Sequence, residues 1–145
     1  MKVYVDTNVL VAASVEQHAQ HVPAFELLSA IERNAMQGCI STHGLAEFYS
    51  VVTRTPFSPR VQPFVASLFL QNNVYPFFEI VALSEADYRT VLGNCADAGM
   101  TGGLIFDALH LCAAGKANCD RIYTFNLRHF RALASKEMEG KITAP

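Results

Sequence analysis

The chain has 145 residues, 51% of them hydrophobic and 17% charged, and a formal net charge of −2. That balance excludes a disordered polymer, and the length predicts one domain across residues 1–145 built on a single core. No apolar run approaches the roughly 18 residues of a membrane span, and the start lacks the features of a signal peptide, so the sequence predicts a cytoplasmic protein with no membrane association. Cys39, Cys95, Cys112 and Cys119 are too irregularly spaced for a zinc pattern and read as small, reduced, buried hydrophobes.

Lys2 to Val5 is β-branched and alternating, which predicts a strand, and Val9 to Ala13 predicts a short helix beginning at Asp6 or Thr7. The stretch "HVPAFELLSAIERNAMQ" carries Phe25, Leu28, Ile31, Ala35 and Met36 at helical spacing, with Gly38 expected to stop the helix before the strand "CIS". "THGLAEFYSVVTR" places Leu45, Phe48, Val51 and Val52 on one helical face and Glu47 in its first turns. A loop bounded by Pro56 and Pro59 follows, then a helix in "VQPFVASLFLQNN" and a strand in "FFEIVAL".

In "SEADYRTVLGNCADAG", Ser84 and Asp87 form a capping-box pattern, and Gly99 breaks the helix. "GGLIFDALHLCAAGKANC" reads as a nearly all-apolar helix buried on most sides, "RIYTF" as a strand leading into "NLRHFRAL", and "GKIT" as an edge strand. Strands alternating with helices predict an α/β fold, a three-layer α/β/α sandwich with a mostly parallel central sheet. Ligands in such folds bind beyond the carboxyl ends of the strands.

Asp6 ends the first strand, Glu47 sits on a helix entered from the second, and Asp107 is the sole charge between Gly103 and Gly115. Each has an ordinary reading: a helix cap, a solvated face residue, a buried ion-pair partner. Carboxylates that converge from separate elements repel one another, and the usual remedy is a hard divalent cation, Mg²⁺ or Mn²⁺. Such an ion can polarise a phosphodiester and support in-line attack by water, so no side-chain nucleophile is required.

"VDTNVL", "STHGLAEFYSVVTR", "TGGLIFDALHLCAA" and "RIYTFNLRHF", in this order, resemble the PIN domain family, in particular VapC-like ribonuclease toxins, over essentially the whole chain. The resemblance implies a metal-dependent endoribonuclease, the toxin of a type II toxin–antitoxin pair, leaving 5′-phosphate and 3′-hydroxyl ends. It implies Asp6, Glu47 and Asp107 as the metal-binding carboxylates, Asn126 as a further catalytic position, and Thr7, Asn8 and Thr124 as supporting residues. It also implies a homodimer that binds a small antitoxin, for which the Phe- and Leu-rich "PFVASLFLQNNVYPFF" offers apolar surface.

One position departs from the family's fullest pattern. Many PIN domains carry an Asp where Asn126 or His129 stands here, and neither is acidic. The alternatives are therefore a catalytically weak or inactive PIN-like module that binds RNA or protein, and a haloacid-dehalogenase-type phosphatase. The phosphatase chemistry needs a second acid two residues after Asp6, where Asn8 stands. His110, three residues after Asp107, reads as a core histidine or as one that faces the site, and His18 and His21 complete no metal-ligand pattern.

Between Lys116 and Lys136 there are five basic residues against one acid, a net +4, and no acid lies between Phe48 and Phe78, where Arg54 and Arg60 flank the Pro loop. Arg128 and Arg131, just after a strand end, are the residues expected to hold RNA phosphates. Phe57, His129 and Phe130 are aromatic candidates for stacking on bases, or core residues.

Overall fold

The computed structural model describes residues 1–145. Five parallel strands, β1 (Lys2–Val5), β2 (Gln37–Ser41), β3 (Phe78–Val81), β4 (Arg121–Tyr123) and β5 (Ile142–Thr143), form one sheet in the order β3-β2-β1-β4-β5. Helices α1 (Thr7–Ser14), α2 (His21–Glu32), α3 (Thr42–Arg54), α4 (Pro63–Phe69), α5 (Glu85–Asp97), α6 (Leu104–Lys116), α7 (Leu127–Leu133) and α8 (Lys136–Glu139) connect them. This is the α/β/α sandwich expected, with every strand pairing parallel.

β1 lies at the centre, and Val3, Tyr4 and Val5 are fully buried, as a strand covered by helices on both faces requires. A larger apolar cluster joins β1 and β2 to α1, α2, α3 and α4, and a second joins Tyr4, Cys39 and Ile122 to α6 and Phe130 of α7. The chain builds outward from β1 through β2 to β3, then crosses back to add β4 and β5 on the other side. The reversal falls between β1 and β4, and the carboxyl-end crevice beside such a reversal is where open α/β sheets bind ligands. Asp6 follows β1 at that point, and Thr124 and Asn126 follow β4.

Four local expectations differ. α2 ends at Glu32, with Asn34 in the left-handed region at φ 58°, so Ala35 and Met36 lie outside it. Phe25 is exposed and stacks on His21, while Ala24, Leu27, Leu28 and Ile31 carry the buried face. Gly38 ends no helix: it lies within β2, where an added Cβ would meet Phe78 at 2.8 Å and Ile31 at 2.9 Å. The first turn of α6 opens to solvent at Phe106, so that helix is less enclosed than its composition implies.

The other elements agree with the sequence. The capping box at Ser84 and Asp87 is formed, and Gly99 adopts φ 66° after α5. α4 continues as a π-helical turn, Leu70–Val74, which ends one residue past the expected helix. All four cysteines are free, and Cys39, Cys95 and Cys119 are buried. No helix is long and apolar enough to cross a membrane.

Candidate active site

Asp6 is 4% exposed and occupies the N-cap position of α1, yet its carboxylate makes no capping hydrogen bond. The capping explanation therefore fails for this residue. Its Oδ2 instead accepts a 2.7 Å bond from Thr124 Oγ1, and its Oδ1 lies 3.4 Å from His110 Nε2. Thr124 is itself held: its hydroxyl accepts from Asn8 Nδ2 at 3.3 Å and from the Asn126 backbone N–H at 2.9 Å. Asn8 Oδ1 accepts from the Phe125 N–H, tying the start of α1 to the end of β4.

Glu47 reaches the same place from α3. Its Oε2 pairs with His110 Nε2 at 2.7 Å, lies 3.3 Å from His43 Nε2, and accepts from Thr7 Oγ1 at 3.3 Å. Thr7 thus supports Glu47, whereas Asn8 and Thr124 support Asp6. Ser41 caps α3 by accepting from the Gly44 N–H at 2.9 Å, which sets the helix directly on the end of β2. Gly44 is needed there: a Cβ would meet Ile40 at 2.8 Å and His110 at 3.3 Å.

Asp107 projects from the first turn of α6. Asn126, at the N-cap position of α7, caps nothing; its Nδ2 donates to Asp107 Oδ2 at 3.1 Å and meets His129 Nδ1 at 2.9 Å. The structure thus joins Asp107 to Asn126 and joins Asp6 and Glu47 through His110. Arg128 and Arg131 are exposed on α7, and Arg131 Nη2 donates to the Ile142 carbonyl at 3.3 Å. Phe130 is fully buried, and Phe57 packs against the core.

His110 is fully buried, and it belongs to the site as well as to the core. Its Nδ1 pairs with Tyr4 Oη at 2.8 Å, and that hydroxyl accepts from the Ser41 N–H at 3.2 Å. Burial pushes His110 down, but the Glu47 hydrogen bond and the surrounding carboxylates leave its pKa raised. Burial pushes Glu47 up, but the hydrogen bond from His110 and the nearby His43 imidazole hold its carboxyl low, at about 2. His110 and Glu47 form a part-buried ion pair.

Asp6 is raised by burial, against the pull of His110 and Thr124. Asp107 is raised to about 6, by burial and then by the charge of Asp6. Asp6 and Asp107 are thus the two carboxyls whose charge the surrounding protein leaves under-compensated, whereas His43 and His110 offset that of Glu47. A hard divalent cation is suited to such a set: Asp6, Glu47 and Asp107 offer carboxylate oxygens and Asn126 an amide oxygen. His43 Nε2 is buried and lies 3.3 Å from Glu47 Oε2 without the alignment of a hydrogen bond, and it, a Glu47 oxygen and His110 Nε2 lie within 4.8 Å of one another. A buried polar atom so incompletely paired agrees with a site that a cation completes.

Sequence reasoning left out His43 and Phe106. The signal for His43 was its position four residues before Glu47, one helical turn on the same face. Phe106 stacks on His43 with ring centroids 5.0 Å apart and planes 10° from parallel.

The profile described as PIN domain matches residues 3–136. Ribonuclease VapC40 of Mycobacterium tuberculosis is 31% identical over 123 residues, covering 85% of this chain and 85% of that protein. Ribonuclease VapC27 of the same organism is 30% identical over 112 residues, covering 77% and 76%. Among solved structures, M. tuberculosis VapC20, described as a Sarcin-Ricin loop cleaving toxin, has a TM-score of 0.70 at 16% identity, covering 90% of this chain and 94% of that one. VapBC2 from Rickettsia felis, bound to a DNA fragment from its promoter, has a TM-score of 0.66 at 19% identity, covering 100% and 99%. At those identities the two structures show likeness of fold.

Proposed function

We propose, from the premise that this chain belongs to the PIN domain family, that it is an endoribonuclease using Mg²⁺ or Mn²⁺, and the toxin of a toxin–antitoxin pair. One observation carries the reading: Asp6 sits at a helix N-cap without capping it and instead meets His110, which also pairs with Glu47 from α3, at the sheet's reversal point, with Asp107 of α6 near enough for the Asp6 charge to raise its carboxyl. Asp6, Glu47 and Asp107 would hold the ion, with the Asn126 amide beside them. The bound ion supplies Lewis acidity, polarising a phosphodiester and lowering the pKa of a water molecule.

The chain's own residues do the positioning. Thr124 fixes Asp6 by its 2.7 Å bond, and Asn8 fixes Thr124. His110 keeps its Nε2 proton toward Glu47, held in place through Nδ1 by Tyr4. Asn126 orients Asp107. Arg128 and Arg131 would hold flanking phosphates of the RNA, leaving hydrolysis to give 5′-phosphate and 3′-hydroxyl ends.

The exposed apolar residues Phe64, Val65, Leu68 and Tyr75 support docking of a small antitoxin and of a second copy of this single-domain, cytoplasmic chain. The neutral amide at Asn126 favours a second reading, an inactive binding module. Incubation of end-labelled RNA with the protein in Mg²⁺, Mn²⁺ or EDTA separates them. Cleavage that EDTA abolishes, and that Asp6→Asn lowers by at least about 100-fold, is expected. RNA binding without cleavage in either metal would support the module.

A further inference from the structure

Beside the carboxylates, on the outer side of α3, a groove of about 360 Å³ is lined by His43, Glu47, Ser50, Arg54 and Phe106 among others. Glu47 belongs to both the groove and the acidic centre, so a strand whose phosphate lies at the carboxylates must place a neighbouring nucleotide at the groove. Phe106 is 44% exposed although it stands in an otherwise apolar helix, immediately before Asp107. A lone exposed Phe is ordinary, but this one is backed by a near-parallel imidazole.

His43 is fixed in turn. It meets His110 edge-on at 5.6 Å, and His110 packs on Tyr4 and Phe130, so Phe106 is the outermost ring of a stack rooted in the core. A rigid aromatic face loses little entropy when a flat ligand covers it. Exposed Arg54 stands on the same wall and supplies a cation for a phosphate or a base edge. Unpaired bases are held by such a combination of aromatic face and basic groove.

We infer that this groove is a nucleobase subsite: Phe106, backed by His43, stacks on an unpaired base next to the scissile phosphate, with Arg54 contacting the same nucleotide. The inference rests on the RNA-cleaving reading and adds the requirement that the nucleotide beside the cut be single-stranded.

The chain has no tryptophan, so Phe106→Trp introduces a single indole. RNA binding is measured in EDTA, where no cleavage occurs, by fluorescence anisotropy of a short unstructured RNA oligonucleotide and by quenching of that indole. Stacking worth ~1–3 kcal/mol per base predicts that Phe106→Ala and Phe106→Leu bind roughly 5- to 150-fold more weakly, that Phe106→Trp binds as wild type does, and that RNA quenches its emission. An oligonucleotide with one abasic position scanned along its length should bind wild type poorly at one register and lose nothing further in Phe106→Ala. Unchanged affinity of Phe106→Ala, or bound RNA without quenching, overturns the subsite, leaves the nuclease reading standing and assigns the groove to a protein segment. RNA bound by no variant in EDTA, wild type included, and left uncleaved in Mg²⁺ and in Mn²⁺ overturns both.

Discussion

Replacing Asp107 by Asn should stabilise the metal-free protein at neutral pH. Burial and the Asp6 charge raise its carboxyl from the ordinary 3.8 to about 6, so ionising it in the fold is harder than ionising it in the unfolded chain. A displacement of that size corresponds to at most about 3 kcal/mol; the side chain is 19% exposed at the rim, and solvent screening reduces the figure to about 1–2 kcal/mol. The sign follows from proton binding. Below the unfolded value both states hold the proton and the residue is neutral to stability. As pH rises from about 4 to about 6 the unfolded chain releases its proton first, stability falls, and the deficit persists above the folded value. Asn keeps an acceptor for the 3.1 Å bond from Asn126 and carries no charge. Melts in EDTA should therefore show Asp107→Asn higher by roughly 2–8 °C above pH 6 and equal to wild type below about pH 4. Mn²⁺ at about 100 times its dissociation constant should stabilise wild type by about 2.7 kcal/mol and the variant by much less. A variant destabilised at neutral pH and indifferent to Mn²⁺ would mean that Asp107 is an ion-pair partner within the fold, and would refute the reasoning.

Arg128→Ala combined with Arg131→Ala should weaken RNA binding and lower the salt slope by about 1.4, near 0.7 per phosphate contact on a single strand, while Arg131→Ala alone also lowers stability because its bond to Ile142 is lost. A salt slope equal to that of wild type would remove both from the RNA path. Tyr4→Phe should lose about 1–3 kcal/mol in urea unfolding, since it strips partners from the buried Ser41 N–H and His110 Nδ1 together. A neutral Tyr4→Phe would show that water replaces the hydroxyl.

Asp6 and Asp107 stand out in the sequence because each interrupts an apolar pattern, at a strand end and in a helix's first turn, where a charge needs a reason; Glu47, in the second turn of the more polar α3, has no such contrast. The alternation of strands and helices carried the sheet and its parallel sense for a similar reason: each period is local. What joins the residues is not local. Thr124 reaches Asp6 across 118 positions and His110 reaches Glu47 across 63, so no spacing rule exposes either bond. Thr7 sits beside Asp6 in the chain yet serves Glu47, because the first turn of α1 points its hydroxyl toward α3. His110 was read as a choice between core and site, and a fully buried ring at the floor of a crevice is both. Phe25 and Phe106 mislead in the same way: apolar spacing marks a helix face without saying whether another element covers it.

Binding of a divalent cation by Asp6, Glu47 and Asp107 is measured by Mn²⁺ titration followed by electron paramagnetic resonance. Wild type should bind saturably, and binding should weaken by at least about 10-fold in Asp6→Asn, in Glu47→Gln and in Asp107→Asn, with all three variants folded. Mn²⁺ affinity equal in wild type and all three variants would contradict binding at these carboxylates.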